Sequence, residues 1–210
     1  MCGRYYTEVD REEMEKIIVA VNRALSGREE LNKMKTGEIF PTDIVPVYSN
    51  MVEGVSPTLM KWGFPGFVKP GSKAKPSVII NARFETIAEK PSFSKYLHQR
   101  CLVPANMYFE WAANVETADK KKPKYIFQPK DEAFSLFWMA AIYRKVADAT
   151  VPVFTILTME ASASVAPIHN RMPVILGSRE ARHAWMKGEK DVQDLIRHAA
   201  VRDIIFSPAG

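Results

Sequence analysis

The chain has 210 residues, 47% hydrophobic, 25% charged and 10% aromatic, which supplies enough apolar material for one sizeable core and excludes a disordered or fibrous chain. Twenty-nine Lys and Arg against 24 Asp and Glu leave a net charge of +5, a modest excess that favours polyanionic partners without specifying one. Two cysteines, Cys2 and Cys101, are too few for a disulfide framework or a zinc site, and no apolar leader or run of about 18 apolar residues is visible. The expectation is therefore a cytoplasmic, monomeric chain with one domain over residues 1–210, no membrane contact, no metal and no organic cofactor.

The first element in chain order is an amphipathic helix over residues 10–25, with Ile17, Ile18, Val21 and Leu25 as its apolar stripe behind an Asp10/Glu13 capping-box pattern. Residues 37–50 read as turn-rich. Runs rich in β-branched and aromatic residues then follow at 58–64, 77–84, 100–105, 108–111, 124–128, 134–143, 151–158 and 172–176, and these read as strands. Helices are predicted at 92–99 and 179–186, and a third near 190–200 that starts ahead of Asp191 and carries Val192, Leu195 and Ile196. Two basic stretches, 69–76 and 117–124, read as surface loops. The order is strand-dominated and not regularly alternating, so the expected class is α+β, a mostly antiparallel β core with peripheral helices.

Chemistry concentrates in a few places. Removal of Met1 would leave Cys2 with an α-amine and a thiol on adjacent carbons, two nucleophiles with ordinary pKa values near ~8 and ~8.5. Toward an aldehyde, the amine forms an imine and the thiol closes a five-membered thiazolidine, favoured by intramolecular proximity. Gly3, Arg4, Tyr5 and Tyr6 follow directly, which suits a terminus packed inside a site better than a frayed end. Asn81 and Arg83, Glu110, and His169 with Asn170 and Arg171 are polar residues set in apolar runs, where each needs a partner or a function. For Glu110 the plainer reading is an ion pair with an arginine, and for His169 a satisfied core histidine. Cys101 reads as a buried, inert thiol. His98, His183 and His198 lie in predicted helical segments without further ligands at metal-binding spacing.

Taken together, MCGRY at the N-terminus, Trp62-Gly63, NARFET (81–86), RCLVPA (100–105) followed by Glu110-Trp111, and APIHNRMPVIL (166–176) resemble the SOS-response-associated peptidase (SRAP) domain across nearly the whole chain. The resemblance implies an SRAP-like fold and a covalent sensor of abasic sites in single-stranded DNA, in the cytoplasm and nucleoid-associated in a bacterium. Cys2 would be the nucleophile after Met1 removal, Asn81 the residue positioning the terminus, Glu110 the acid/base, and His169 an aid to sugar-ring opening. Arg4, Arg83 and Arg171 match phosphate-contacting arginines; Pro41, Trp62, Gly63 and Trp111 match positions that shape the DNA channel. The chain departs from the usual Asp-Gly-Phe-Tyr before Glu-Trp, with Asn106, Met107, Tyr108 and Phe109 in its place. Two other functions compete: hydrolysis by an N-terminal cysteine with His169 and Asn81, and a non-catalytic module for single strands. An abasic-site lyase activity would arise from the same imine.

Overall fold

The computed structural model describes residues 2–51, 55–67, 77–112, 122–130, 136–147, 149–188 and 191–209. Its strands, in chain order, are β1 (Arg4–Thr7), β2 (Gly37–Ile39), β3 (Ile44–Ser49), β4 (Ser56–Trp62), β5 (Phe64–Pro65), β6 (Val78–Ile79), β7 (Asn81–Arg83), β8 (Arg100–Ala105), β9 (Met107–Trp111), β10 (Lys124–Pro129), β11 (Phe137–Arg144), β12 (Val153–Glu160), β13 (Arg171–Pro173) and β14 (Ile204–Pro208). Helices are α1 (Glu12–Ala24), α2 (Pro91–Ser94), α3 (Arg179–Lys187) and α4 (Val192–Ala199). No helix of the described residues is long and apolar enough to cross a membrane.

Two sheets form the body. One runs β14-β10-β9-β1-β2; the other runs β11-β8-β3-β4-β12-β13, with β7 also on β12. Because β11 pairs with both β8 and β12, the second sheet closes on itself. Among the described residues every ladder is antiparallel except those of β12 with β4 and with β7. This is the α+β, mostly antiparallel class expected from the order of the runs. The inner faces meet in one apolar cluster that includes Tyr5, Trp62, Tyr108, Phe127, Phe154 and Trp185, and α1 closes a smaller cluster through Met14, Ile17 and Val21.

Several expectations need correction. The Asp10/Glu13 capping box does not form: Arg11 is the N-cap and makes no side-chain cap, while Glu12, Glu13 and Glu15 offset the helix dipole from the first turn. The stretch 37–50 contains β2 and β3, not only turns. Pro46 is tolerated within β3 because β8 meets β3 only at Tyr48 and Ser49, so its missing N–H lies where no β8 partner requires it. The helix expected over 92–99 stops at Ser94, because Tyr96 and Gln99 turn back onto the Phe93 and Tyr96 carbonyls in tighter i to i+3 bonds. Asp191 does not lie within the third helix; it precedes the helix and caps it, accepting from the Gln193 and Asp194 N–H groups. The strands β1 and β14 carried no strong pattern of their own. The loop expected at 69–76 lies outside the described residues, as does 117–121, while Lys124 belongs to β10 rather than to a loop.

Candidate functional site

Strand β1 lies inside the five-stranded sheet, between the edge strand β2 and the central β9, and Cys2 just before it is fully buried. Tyr5 and Tyr108 are cross-strand partners and both fully buried, so the chain is anchored three residues past Cys2. Cys2 itself has no exposed surface, and its thiol donates to the Arg4 carbonyl at 3.6 Å. Burial, then the negative charge of Glu110, push the thiol pKa far up, so it is neutral at physiological pH.

Asn81, at the start of β7, reaches across between the sheets: its Nδ2 donates to the Cys2 carbonyl at 2.8 Å. The Asn81 Oδ1 is buried and accepts no bond within the described protein. Since β7 runs parallel to β12, with Asn81 beside Ile156 and Arg83 beside Thr158, the pleat puts Asn81 and Arg83 on one face, with Arg83 exposed.

Glu110 sits in β9, 3% exposed, on the inner face that Tyr108 shares. Desolvation raises its pKa, against the opposing pull of the positive chain terminus and of the Trp111 backbone. A carboxyl held this way exchanges protons more readily near neutrality than a solvated one. His169 is half-buried after a turn that closes onto Val165. Its Nδ1 lies 3.0 Å from the Arg171 backbone nitrogen and 3.2 Å from the Arg171 carbonyl oxygen, so it accepts from the one or donates to the other according to the ring's tautomer. Burial, then the positive chain terminus, lower the imidazole pKa.

The structure thus brings Cys2, Asn81 and Glu110 to one place: Asn81 by a direct bond, and Glu110 by the effect of its charge on the Cys2 thiol. The arginines differ in circumstance. Arg4 is half-buried beside the terminus and Arg83 is exposed, whereas Arg171 is committed to Glu85 through Nη1 at 2.7 Å and Nη2 at 2.9 Å, and to the Thr158 carbonyl at 2.7 Å. The Arg171 backbone meets the His169 ring as well.

Trp62, expected to shape the DNA channel, is fully buried between Tyr5 and Phe154, and its indole N–H donates to the Ile80 carbonyl at 3.0 Å. Its backbone bonds the turn at residues 40–43 that contains Pro41. Thr42 in that turn has a φ of 79°, a left-handed conformation strained for a β-branched residue. Gly63 has a φ of 116°, and a Cβ there would meet Val78 Cγ1 at 2.2 Å, so only glycine fits. Trp111, by contrast, is partly exposed on the outer face of β9, 5.2 Å from the Arg4 guanidinium.

Sequence reasoning passed over Glu85, although it sits within the NARFET run, and over Glu38, which no local pattern marked; Lys124 was read only as part of a basic stretch and the start of a strand. Cys101 is fully buried and its thiol pKa is raised by that burial.

The profile of the family described as SOS response associated peptidase (SRAP) matches residues 1–208. Among curated proteins, the chain is 36% identical over 123 residues to "Abasic site processing protein YobE" of Bacillus subtilis, covering 57% of this chain and 53% of that one. It is 31% identical over 155 residues to an abasic site processing protein of Saccharomyces cerevisiae, covering 72% and 40% respectively. Identity to "Abasic site processing protein HMCES" of Rattus norvegicus is 24%, over 99% of this chain and 71% of that one. The chain spans about half the length of the first curated relatives it matches. Among solved structures, a phage-related protein from Bordetella bronchiseptica superposes with a TM-score of 0.72 at 21% identity, covering 99% of this chain and 94% of that one. A protein from Bacteroides thetaiotaomicron superposes with a TM-score of 0.70 at 22% identity, covering 99% and 91%. These two share the fold.

Proposed function

The chain belongs to the SOS response associated peptidase (SRAP) family, and on that footing we propose that it captures abasic sites in single-stranded DNA covalently through Cys2 once Met1 has been removed. The observation that carries this reading is the bond from Asn81 Nδ2 to the Cys2 carbonyl, which fixes the terminus beside a buried, proton-exchanging Glu110. The names of the curated relatives support the same substrate.

The steps follow from the groups present. The ring-opened abasic sugar offers an aldehyde, and an abasic nucleotide has no base to hold it in a stack, so it enters a pocket easily. The Cys2 amine attacks the aldehyde carbon; water leaves as the C=N bond of the imine forms. The neutral thiol then adds its sulfur to the imine carbon, and its proton passes by way of Glu110 to the imine nitrogen, giving a thiazolidine with the loss of one water overall. His169, half-buried with a lowered imidazole pKa, would supply the proton-transfer group for the sugar oxygen during ring opening. The unsatisfied Asn81 Oδ1 suits an N–H from the freed terminus. Elimination from the imine before ring closure would cleave the strand, which is the lyase reading of the same intermediate. A peptidase reading fits less well, because burial keeps the Cys2 thiol neutral while attack on a peptide carbonyl needs the thiolate.

The test is incubation of the mature protein with abasic single-stranded DNA. The expected product is a band that survives denaturation and boiling, with a mass equal to protein plus DNA less one water. Cys2→Ala, or retention of Met1, abolishes it. No surviving band from mature protein overturns the reading.

A further inference from the structure

The outer face of the five-stranded sheet carries a charge cluster that the capture chemistry leaves unused. The register sets Arg4 opposite Phe109, Trp111 opposite Lys124, and Tyr6 opposite Glu38. A single carboxylate oxygen, Glu38 Oε1, accepts from Arg4 Nη1 at 3.2 Å and from Lys124 Nζ at 3.0 Å. Aromatic rings wall both cations: Arg4 lies 4.2 Å from the centre of Phe40, and Lys124 lies 3.9 Å from that of Phe109 and 5.9 Å from that of Trp111. The three charged side chains are 31%, 34% and 28% exposed for Arg4, Glu38 and Lys124, so the cluster is both reachable and partly desolvated. The hydrogen bond from Lys124, then that from Arg4, hold the Glu38 carboxyl below its ordinary pKa, and it stays ionised at neutral pH.

Two cations converging on one anionic oxygen form the arrangement that a phosphodiester oxygen takes up. Partly exposed Trp111 and exposed Phe40 add flat surfaces on which bases stack without sequence preference. Glu38 occupies the place of the phosphate and cancels one of the two positive charges. We propose that Lys124 joins Arg4, already expected to contact phosphate, in one phosphodiester subsite for single-stranded DNA, and that Glu38 is a built-in competitor which the strand must displace, restraining binding to undamaged DNA. The inference rests on the single-strand reading above.

The test is equilibrium binding of an undamaged oligothymidylate, which has no aldehyde to react, followed by fluorescence anisotropy across a salt series with the full chain. Glu38→Gln is expected to bind about tenfold tighter at low salt, because a neutral amide competes poorly for the two cations. Lys124→Ala is expected to bind more weakly, with the slope of log affinity against log salt shallower by about 0.7, the change expected when one fewer phosphate of a single strand is neutralised. Lys124→Arg restores wild-type binding, and the Glu38→Gln/Lys124→Ala double variant loses the gain. Unchanged or weaker binding by Glu38→Gln at an unchanged melting temperature overturns the subsite, as does an unchanged salt slope in Lys124→Ala. An equal gain toward polyglutamate also overturns it, since the cluster would then be indifferent to phosphate. Heat-stable adducts on abasic DNA, measured in parallel, keep the two readings apart. Salt-dependent binding without an adduct sinks capture alone, and adduct formation with no effect of Glu38 or Lys124 on binding sinks the subsite alone.

Discussion

Replacement of Glu110 by Gln separates proton transfer from folding. The carboxyl is 3% exposed, and desolvation holds its pKa above the ordinary value of 4.5. The folded protein therefore binds this proton more tightly than the unfolded chain does. The stability it contributes is fully present below the unfolded pKa and is lost as pH rises through the higher folded value. Glutamine has nothing to titrate, so the variant flattens that part of the stability profile. At neutral pH it also removes the cost of burying an ionised group; stability is expected to be unchanged or higher by about 1 kcal/mol, which corresponds to roughly 2–4 °C in Tm for a chain of this size. Adduct formation should move the other way and slow by about 10²-fold or more, the usual contribution of one positioned acid/base. Calorimetry at several pH values, oligonucleotide binding and single-turnover crosslinking on this variant give the three readouts. A Tm lowered by several degrees with an unchanged rate per folded molecule would refute the argument and leave Glu110 a structural group.

Asn81→Ala removes the bond to the Cys2 carbonyl; adduct formation is expected to fall at least about tenfold by misplacing the terminus, for a stability loss of only about 1 kcal/mol, as read by crosslinking rate and Tm. Asn81→Asp, which cannot donate when ionised, should behave alike. Gly63→Ala forces a Cβ against Val78 at a φ of 116° and should cost about 1–3 kcal/mol or more, visible as a lower denaturation midpoint with the m-value unchanged. The His169 pKa is lowered mainly by burial from its ordinary 6.5, so the folded state binds this proton less tightly than the unfolded chain. Stability should therefore fall on acidification from 6.5 through the lower folded value. His169→Gln removes that decline, while Glu110→Gln leaves it in place.

The fold class and most strands are legible along the chain, because runs such as 100–105 and 151–158 bury nearly every side chain and need little context to be recognised as extended. The sequence also singled out Cys2, Asn81, Glu110 and His169, since polar groups set within apolar runs stand out when read along the chain. Long-range pairing was beyond its reach. β1 has only four residues, and its place between β2 and β9 comes from partners roughly 30 and 100 residues away. For the same reason Arg171, read as a phosphate ligand, is committed to Glu85, and Trp62, read as a channel wall, lies in the core, closed over by Tyr5 and Phe154. The Glu38 bridge from Arg4 to Lys124 joins residues 34 and 86 positions apart. No local periodicity encodes such a contact; only the closing of β2, β1, β9 and β10 into one sheet creates it.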